Sequence, residues 1–121
     1  MLTRVNVGGT EAAVRAAARA GVPRVVLTSS AATVGEPAGT VGREDTTHRG
    51  SYLSLYDRSK HEAELVAFRA AERLGVELVA VNPSSVPGPG LATGNGKLII
   101  DYVNGRLREV ADSFRRTSTG R

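Results

Sequence analysis

The residues with the clearest capacity for chemistry are Tyr56 and Lys60, in the pentapeptide Tyr-Asp-Arg-Ser-Lys at residues 56–60. Two residues four positions apart on a helix project from the same face, one turn apart. An ammonium beside a phenol favours ionisation of the phenol, so the pair could exchange a proton with a bound molecule near neutral pH. The spacing alone fits a surface helix with a solvated lysine equally well, because short motifs also arise by chance.

The pair lies near the start of a predicted helix over residues 54–74, which Gly75 ends as a C-cap. Extended backwards, the inward stripe of this helix includes Ser59, Lys60 and Tyr56. A lysine on a core-facing stripe needs a partner or a cavity, which favours a functional interpretation. The apolar positions that define the stripe are Ala63, Val66, Ala67, Ala70, Ala71 and Leu74.

Two short β-branched runs, residues 24–30 and 77–82, predict strands of a parallel sheet that are buried on both faces. An alanine-rich helix is predicted over residues 6–20, and a short amphipathic one over residues 96–104. The order of these elements predicts an α/β fold: part of a Rossmann-type, doubly wound sheet with two parallel strands and about three helices. Ligands of such sheets bind outside the carboxyl ends of the strands.

Three groups of polar residues should meet at that edge. Thr28, Ser29 and Ser30 end the first strand, Asn82 ends the second, and Tyr56 follows the loop that leaves the first. A hydroxyl donor, a phenol and an ammonium at one crevice could polarise a carbonyl while a proton is given or taken. The alternative is that the serines only cap the strand ends above a structural tyrosine.

Composition excludes several other classes of function. The net charge is +4, but the arginines are spread along the chain rather than clustered with aromatic residues, so we expect no nucleic-acid binding. The chain has no apolar run long enough to span a membrane and no cysteine, so we expect a cytoplasmic protein. In the glycine-rich loop over residues 33–51, Glu44, Asp45 and His48 lack the spacing of metal ligands, so we expect no metal site.

The chain resembles the extended short-chain dehydrogenase/reductase superfamily: its NAD-dependent epimerase/dehydratase family, and the dihydroflavonol-reductase-like branch within it. Four ordered motifs carry the resemblance across roughly residues 4–110. They are Val-Asn-Val-Gly-Gly-Thr at 5–10, Arg-Val-Val-Leu-Thr-Ser-Ser-Ala at 24–31, the pentapeptide at 56–60, and Asn-Pro-Ser-Ser-Val-Pro-Gly-Pro-Gly at 82–90.

This resemblance implies a role for each candidate residue. Tyr56 would be the general acid/base, and Lys60 would favour ionisation of its phenol and bind the nicotinamide ribose. Ser30 would orient the substrate carbonyl or hydroxyl, with Ser29 as the fallback for an error of one position. Asn6 would support the site from the preceding helix. The implied cofactor is NADP or NAD, and the residues that would line the nicotinamide are Pro83 and Val86.

The resemblance also implies partners. The substrate would be a small carbonyl, hydroxyl or nucleotide-sugar compound, and two copies would pair through helices 6–20 and 54–74. Leu65 and Phe68, a second apolar edge of the later helix, fit that pairing.

The sequence departs from the family pattern at both ends. It has no Gly-x-x-Gly-x-x-Gly turn for the cofactor pyrophosphate, and Pro87 replaces an aromatic or aliphatic residue. We therefore expect residues 1–111 to be a partial cofactor-binding domain, and residues 112–121 to be a disordered or out-of-frame tail. We also expect the isolated chain to be inactive or marginally folded. The alternative function is a non-catalytic truncated part that acts at most as a dimerising helix module.

Overall fold

The structure, a computed structural model, describes residues 1–86, 88, 90 and 93–106. Its three α-helices and two strands in that part are α1 (Gly9–Arg19), β1 (Arg24–Thr28), α2 (Leu55–Leu74), β2 (Glu77–Val81) and α3 (Gly94–Val103). β1 and β2 pair in parallel, with Arg24 opposite Glu77 and Thr28 opposite Val81. The predicted α/β fold with two parallel strands and three helices is confirmed.

The chain forms two compact units, Met1–Ser84 and Ser85–Arg121. The first contains α1, β1, α2 and β2, and the second contains α3. The predicted tail at residues 112–121 lies outside the described residues. None of the helices in the described part is long and apolar enough to cross a membrane.

The N-terminal helix begins earlier than the sequence predicted. A π-helical turn at Arg4–Gly8 leads directly into α1, although glycines at positions 8 and 9 disfavour a helix start. Alanine and arginine, both strong helix formers, carry α1 as far as Arg19, and Gly21 then adopts the left-handed conformation with φ 70°. Val14, 1% exposed, is the residue that α1 buries.

The long helix α2 has a capping group at each end. The Ser54 side chain accepts a hydrogen bond from the Asp57 amide at 3.0 Å, and Gly75 closes the helix with φ 67°. Its buried residues follow the predicted stripe: Ser59, Ala63, Ala67, Ala70 and Ala71. The small alanines let α1 and β2 approach closely, and Ala67, Ala70 and Ala71 form a core with Val14 and Val76.

The predicted stripe is wrong at its two ends. Leu74 is exposed because the helix ends there and no further turn covers it. At the other end, Ser59 takes the buried position, Lys60 is half-buried and Tyr56 is 46% exposed. The first turn of α2 is therefore accessible to solvent on the side that carries the tyrosine.

The prediction that both strands are buried on both faces is also wrong. Val25, Leu27 and Leu78 pack against the core, whereas Val26, Val79 and Val81 on the opposite face are exposed, Val26 at 62%. Within residues 1–84, α1 and α2 both cover the same face of the sheet, and no helix covers the other. The apolar run is that of a fully buried strand, but only half of its side chains are covered.

Candidate functional site

The carboxyl ends of the two strands lie side by side. Beyond the paired residues, the Ser29 amide donates to the carbonyl oxygen of Val81 at 2.8 Å, and the Ala31 amide donates to that of Pro83 at 2.9 Å. These bonds continue the parallel pairing past the end of each strand. They bring the predicted serines and the Asn82–Pro83 segment to one edge of the sheet.

Lys60 reaches that edge from α2. Its ammonium donates a hydrogen bond to the carbonyl oxygen of Thr28, the last residue of β1, at 3.2 Å. Tyr56 lies one turn earlier on the same helix, and its hydroxyl has no hydrogen-bond partner among the described residues. The phenol is therefore available to a bound molecule, and the lysine places a positive charge beside the strand end.

The two serines after β1 have different environments. The Ser30 hydroxyl oxygen accepts a hydrogen bond from the Ala32 amide at 3.2 Å, which caps the short 3-10 turn Ala31–Thr33. The Ser29 hydroxyl is buried and has no partner among the described residues. The Ser29 hydroxyl therefore has hydrogen-bonding capacity that the described residues leave unused. An unpaired buried hydroxyl of this kind is costly.

A network of side chains fixes the backbone of Ser30. The side-chain Nδ2 of Asn82 lies within hydrogen-bonding distance of three oxygens: the Ser30 carbonyl at 3.1 Å, Thr33 Oγ1 at 2.8 Å and Glu64 Oε2 at 3.0 Å. Thr33 Oγ1 is also 3.0 Å from Glu64 Oε2. The network joins both strand ends to α2. The sequence indicated Asn82 only as a strand end, and gave no signal for Thr33 or Glu64.

Asn6 is joined to the first turn of α2. Its side-chain amide donates to Ser59 Oγ at 2.9 Å, and Ser59 Oγ donates to the carbonyl oxygen of Tyr56 at 2.8 Å. Asn6 lies in the π-helical turn, and such turns are frequent at functional sites. The sequence placed Ser59 on the buried stripe but assigned it no role. A hydroxyl interrupting an otherwise alanine stripe was the available signal.

Two histidines connect the long loop to α2. The rings of His48 and His61 stack with centroids 4.1 Å apart, and the Tyr52 hydroxyl is 2.9 Å from His61 Nδ1. Burial lowers the pKa of His61 below its usual 6.5, and His48 lowers it further, while Glu64 and Glu62 act in the opposite direction. His48 also packs on Gly35, where a side chain would collide with its ring.

The rings of His48 and His61 line an open groove of about 890 Å³ beside β2. Its polar wall includes Thr33, His61, Glu64 and Asn82, and its apolar wall includes Leu65, Phe68, Val79 and Val81. No group of three or more His, Cys, Asp or Glu side chains in the described part of the chain could hold a metal ion.

The residues expected to line the nicotinamide fall in different units. Pro83 follows β2 in the first unit, and its carbonyl oxygen accepts the hydrogen bond from the Ala31 amide, whereas Val86 is an exposed residue of the second unit. Pro87, the departure from the family pattern, lies outside the described residues.

Known proteins resemble this chain over most of its length. It is 36% identical over 107 residues to Sterol demethylase protein B of Methylococcus capsulatus, an alignment that covers 86% of this chain and 32% of that protein. It is 34% identical to the Synechocystis sp. protein named "Putative dihydroflavonol 4-reductase", over 88% of this chain and 32% of that protein. The chain thus spans about a third of the length of these relatives.

A solved structure and a family model agree with these relatives. The fold matches the crystal structure of gox2253 with a TM-score of 0.69 and 30% identity, over 87% of this chain and 33% of that one. Residues 2–115 match the model of the NAD dependent epimerase/dehydratase family. This match includes both strand ends and the Tyr-x-x-x-Lys helix in one continuous stretch. The chain therefore belongs to the NAD dependent epimerase/dehydratase family.

Proposed function

We propose that this chain supplies the acid/base residues of an NAD(P)-dependent oxidoreductase or epimerase, with Tyr56 as the proton-transferring group. One observation carries the proposal: the Lys60 ammonium is hydrogen-bonded to Thr28 at the carboxyl end of β1. This bond sets the helix face that bears the tyrosine against the strand edge where ligands of parallel sheets bind. The family match supports the same class of reaction.

In the proposed reaction, the Tyr56 hydroxyl gives its proton to a carbonyl oxygen during reduction, and in the reverse direction the Tyr56 phenolate takes a proton from a hydroxyl. Lys60 holds a positive charge one turn away and stabilises the phenolate in either direction. Ser30 orients the reacting oxygen. Ser29, whose buried hydroxyl has no partner among the described residues, is the second candidate for that task.

The residues present fit one end of the proposed cofactor. An ammonium has three N–H donors, and Lys60 has one acceptor among the described residues, so two donors remain for ribose hydroxyls. With the exposed Tyr56 hydroxyl and Pro83, they would hold the nicotinamide ribose. The nicotinamide, when bound, supplies or accepts the hydride. For the pyrophosphate, residues 1–121 contain no Gly-x-x-Gly-x-x-Gly turn.

The proposed substrate is a small carbonyl or hydroxyl compound, nucleotide-sugars included. The relatives' names point to chemistry of this kind, since they include a dihydroflavonol 4-reductase, a 3 beta-hydroxysteroid dehydrogenase/Delta 5-->4-isomerase and a cinnamoyl-CoA reductase. Each of those names describes the relative. For this chain they support the reaction class.

Reduced nicotinamide mononucleotide tests the proposal because it contains the nicotinamide ribose without the adenosine half. We expect weak binding, with a dissociation constant of about 1 mM, or about 4 kcal/mol, seen as saturation transfer from the protein to the nicotinamide protons. Tyr56→Phe and Lys60→Met should each weaken it. Saturation transfer of equal strength from the wild type and from both variants would refute the assignment.

A second candidate function is a helix module that pairs two copies through residues 6–20 and 54–74. Leu65 and Phe68 on α2 are 45% and 43% exposed, which is high for large apolar side chains on a helix that packs against a core. Light scattering should give the mass of a dimer for the chain and of a monomer for Phe68→Glu. Leu53→Glu, at an exposed loop position, is the control that should remain dimeric.

A further inference from the structure

We infer that Ser59 is a positioning residue that fixes the Tyr56–Lys60 turn of α2 against the π-helical turn, an inference that builds on the proposed role of that pair. Ser59 is 1% exposed and, with Val14, is one of the two largest fully buried side chains in the described part of the chain. A buried hydroxyl at a core-facing position is retained without cost only where its hydrogen bonds are satisfied.

Both hydrogen-bonding capacities of Ser59 are used, and they lead to different elements. Its oxygen accepts from Asn6 Nδ2 at 2.9 Å, and its own proton goes to the Tyr56 carbonyl at 2.8 Å. The second bond lies within the turn that presents the tyrosine. The first crosses 53 residues of sequence to the turn before α1.

The bonds on either side of Ser59 explain what it positions. The next residue, Lys60, is bonded to Thr28 on β1, so consecutive side chains attach the same helical turn to two different elements. Together with the packing of the buried alanines of α2, these two attachments restrain the turn relative to both the π-helical turn and the strand end.

The position of Asn6 supports the same inference. A π-helical turn holds one residue more than an α-helical turn, and here it spans Arg4–Gly8 with Asn6 at its centre. From this irregular turn, the side-chain amide of Asn6 donates its hydrogen bond to Ser59. Asn6 acts on Tyr56 through Ser59, since its own bond is to the serine hydroxyl.

The test compares Ser59→Ala, Asn6→Ala and the double variant of the full chain by NMR. Exchange of the Lys60 amide reports opening of the turn, and the ring-carbon resonance of Tyr56 reports the surroundings of its phenol. Losing one bond should speed exchange about tenfold, the factor that corresponds to roughly 1.4 kcal/mol, and should shift the Tyr56 resonance. The double variant should match Ser59→Ala alone, because that variant has already removed the bond to Asn6.

Ala70→Gly is the matched control, since it weakens α2 at a buried alanine about three turns further along the helix. It should lower stability and leave the Tyr56 resonance unchanged. Ser59→Thr, which keeps the hydroxyl, should restore the wild-type resonance. If Ser59→Ala does not fold, Asn6→Ala carries the same prediction from the other side of the bond.

Additive effects in the double variant, or an unmoved Tyr56 resonance in both single variants, would overturn the inference. Neither readout needs a cofactor or a substrate. A failure of reduced nicotinamide mononucleotide to bind would therefore count against the proposed function while leaving the positioning by Ser59 intact.

Discussion

The ammonium of Lys60 lies 3.2 Å from the carbonyl oxygen of Thr28, so a helix side chain is bonded to the last backbone carbonyl of a strand. In a parallel pair both strands end at the same edge, and Thr28 lies opposite Val81 there. A charge held at this edge affects whatever binds beyond either strand.

Lys60→Met should weaken binding of reduced nicotinamide mononucleotide while changing the free energy of unfolding by less than about 1 kcal/mol, because one partly exposed hydrogen bond contributes little. The variant removes both the charge and the ribose donors. Saturation transfer and urea unfolding measure the two effects. Lys97→Met, which removes the other lysine of the chain, is the control and should bind as wild type does.

Tyr56→Phe should lower kcat about 10²–10⁴-fold in any form of the protein that reduces a carbonyl substrate with NADPH or NADH. That range is the usual contribution of a general acid. KM should change little. Stability should stay within about 0.5 kcal/mol, because the tyrosine is 46% exposed and its hydroxyl has no partner in the described part. Steady-state rates with Tyr102→Phe as control test this, and undiminished turnover would remove Tyr56 from the mechanism.

The sequence predicted the elements that short-range patterns determine. Helix α2 carries its own start and stop, Ser54 and Gly75, and its alanine spacing identified the buried face. The strand order followed from the alternation of helix and strand. The residue pair on α2 was found because its spacing matches one helical turn.

The sequence did not determine which side chains of the strands are covered, because that depends on which helices pack against the sheet. Val26 and Val25 are the same residue type in one run, and only the position of α1 and α2 makes one exposed and the other part of the core. Likewise, Thr33 and Glu64 are 31 residues apart and meet only through the path of the loop. Patterns within one element carry no information about such contacts.

Val14→Ala should destabilise the chain by about 2 kcal/mol, because it deletes buried methyl groups and leaves a cavity against Ala67 and Ala70. Val26→Ala is the matched variant on the open face of the sheet and should cost less than about 1 kcal/mol. Urea unfolding of both variants measures the difference. Equal losses would mean that the face bearing Val26 is covered in solution.

The chain should lose stability between neutral pH and pH 5 because of His61. Burial, with help from His48, lowers the pKa of His61 in the folded state below the usual 6.5. In the window between the two values the unfolded chain binds a proton that the folded chain does not, so stability rises with pH. The contribution is complete above about pH 6.5 and is lost as the pH falls through the folded-state value.

Thermal unfolding of wild type and His61→Phe at several pH values between 7.5 and 5 measures this contribution. Phenylalanine can still stack on His48 but cannot take up a proton, so the variant should show the flatter profile over this range. It also loses the bond to Tyr52, and Tyr52→Phe controls for that loss because it keeps the titrating ring. A wild-type profile no steeper than that of His61→Phe would show that His61 is protonated equally easily in the folded and unfolded chain, and that its contact with the loop does not depend on pH.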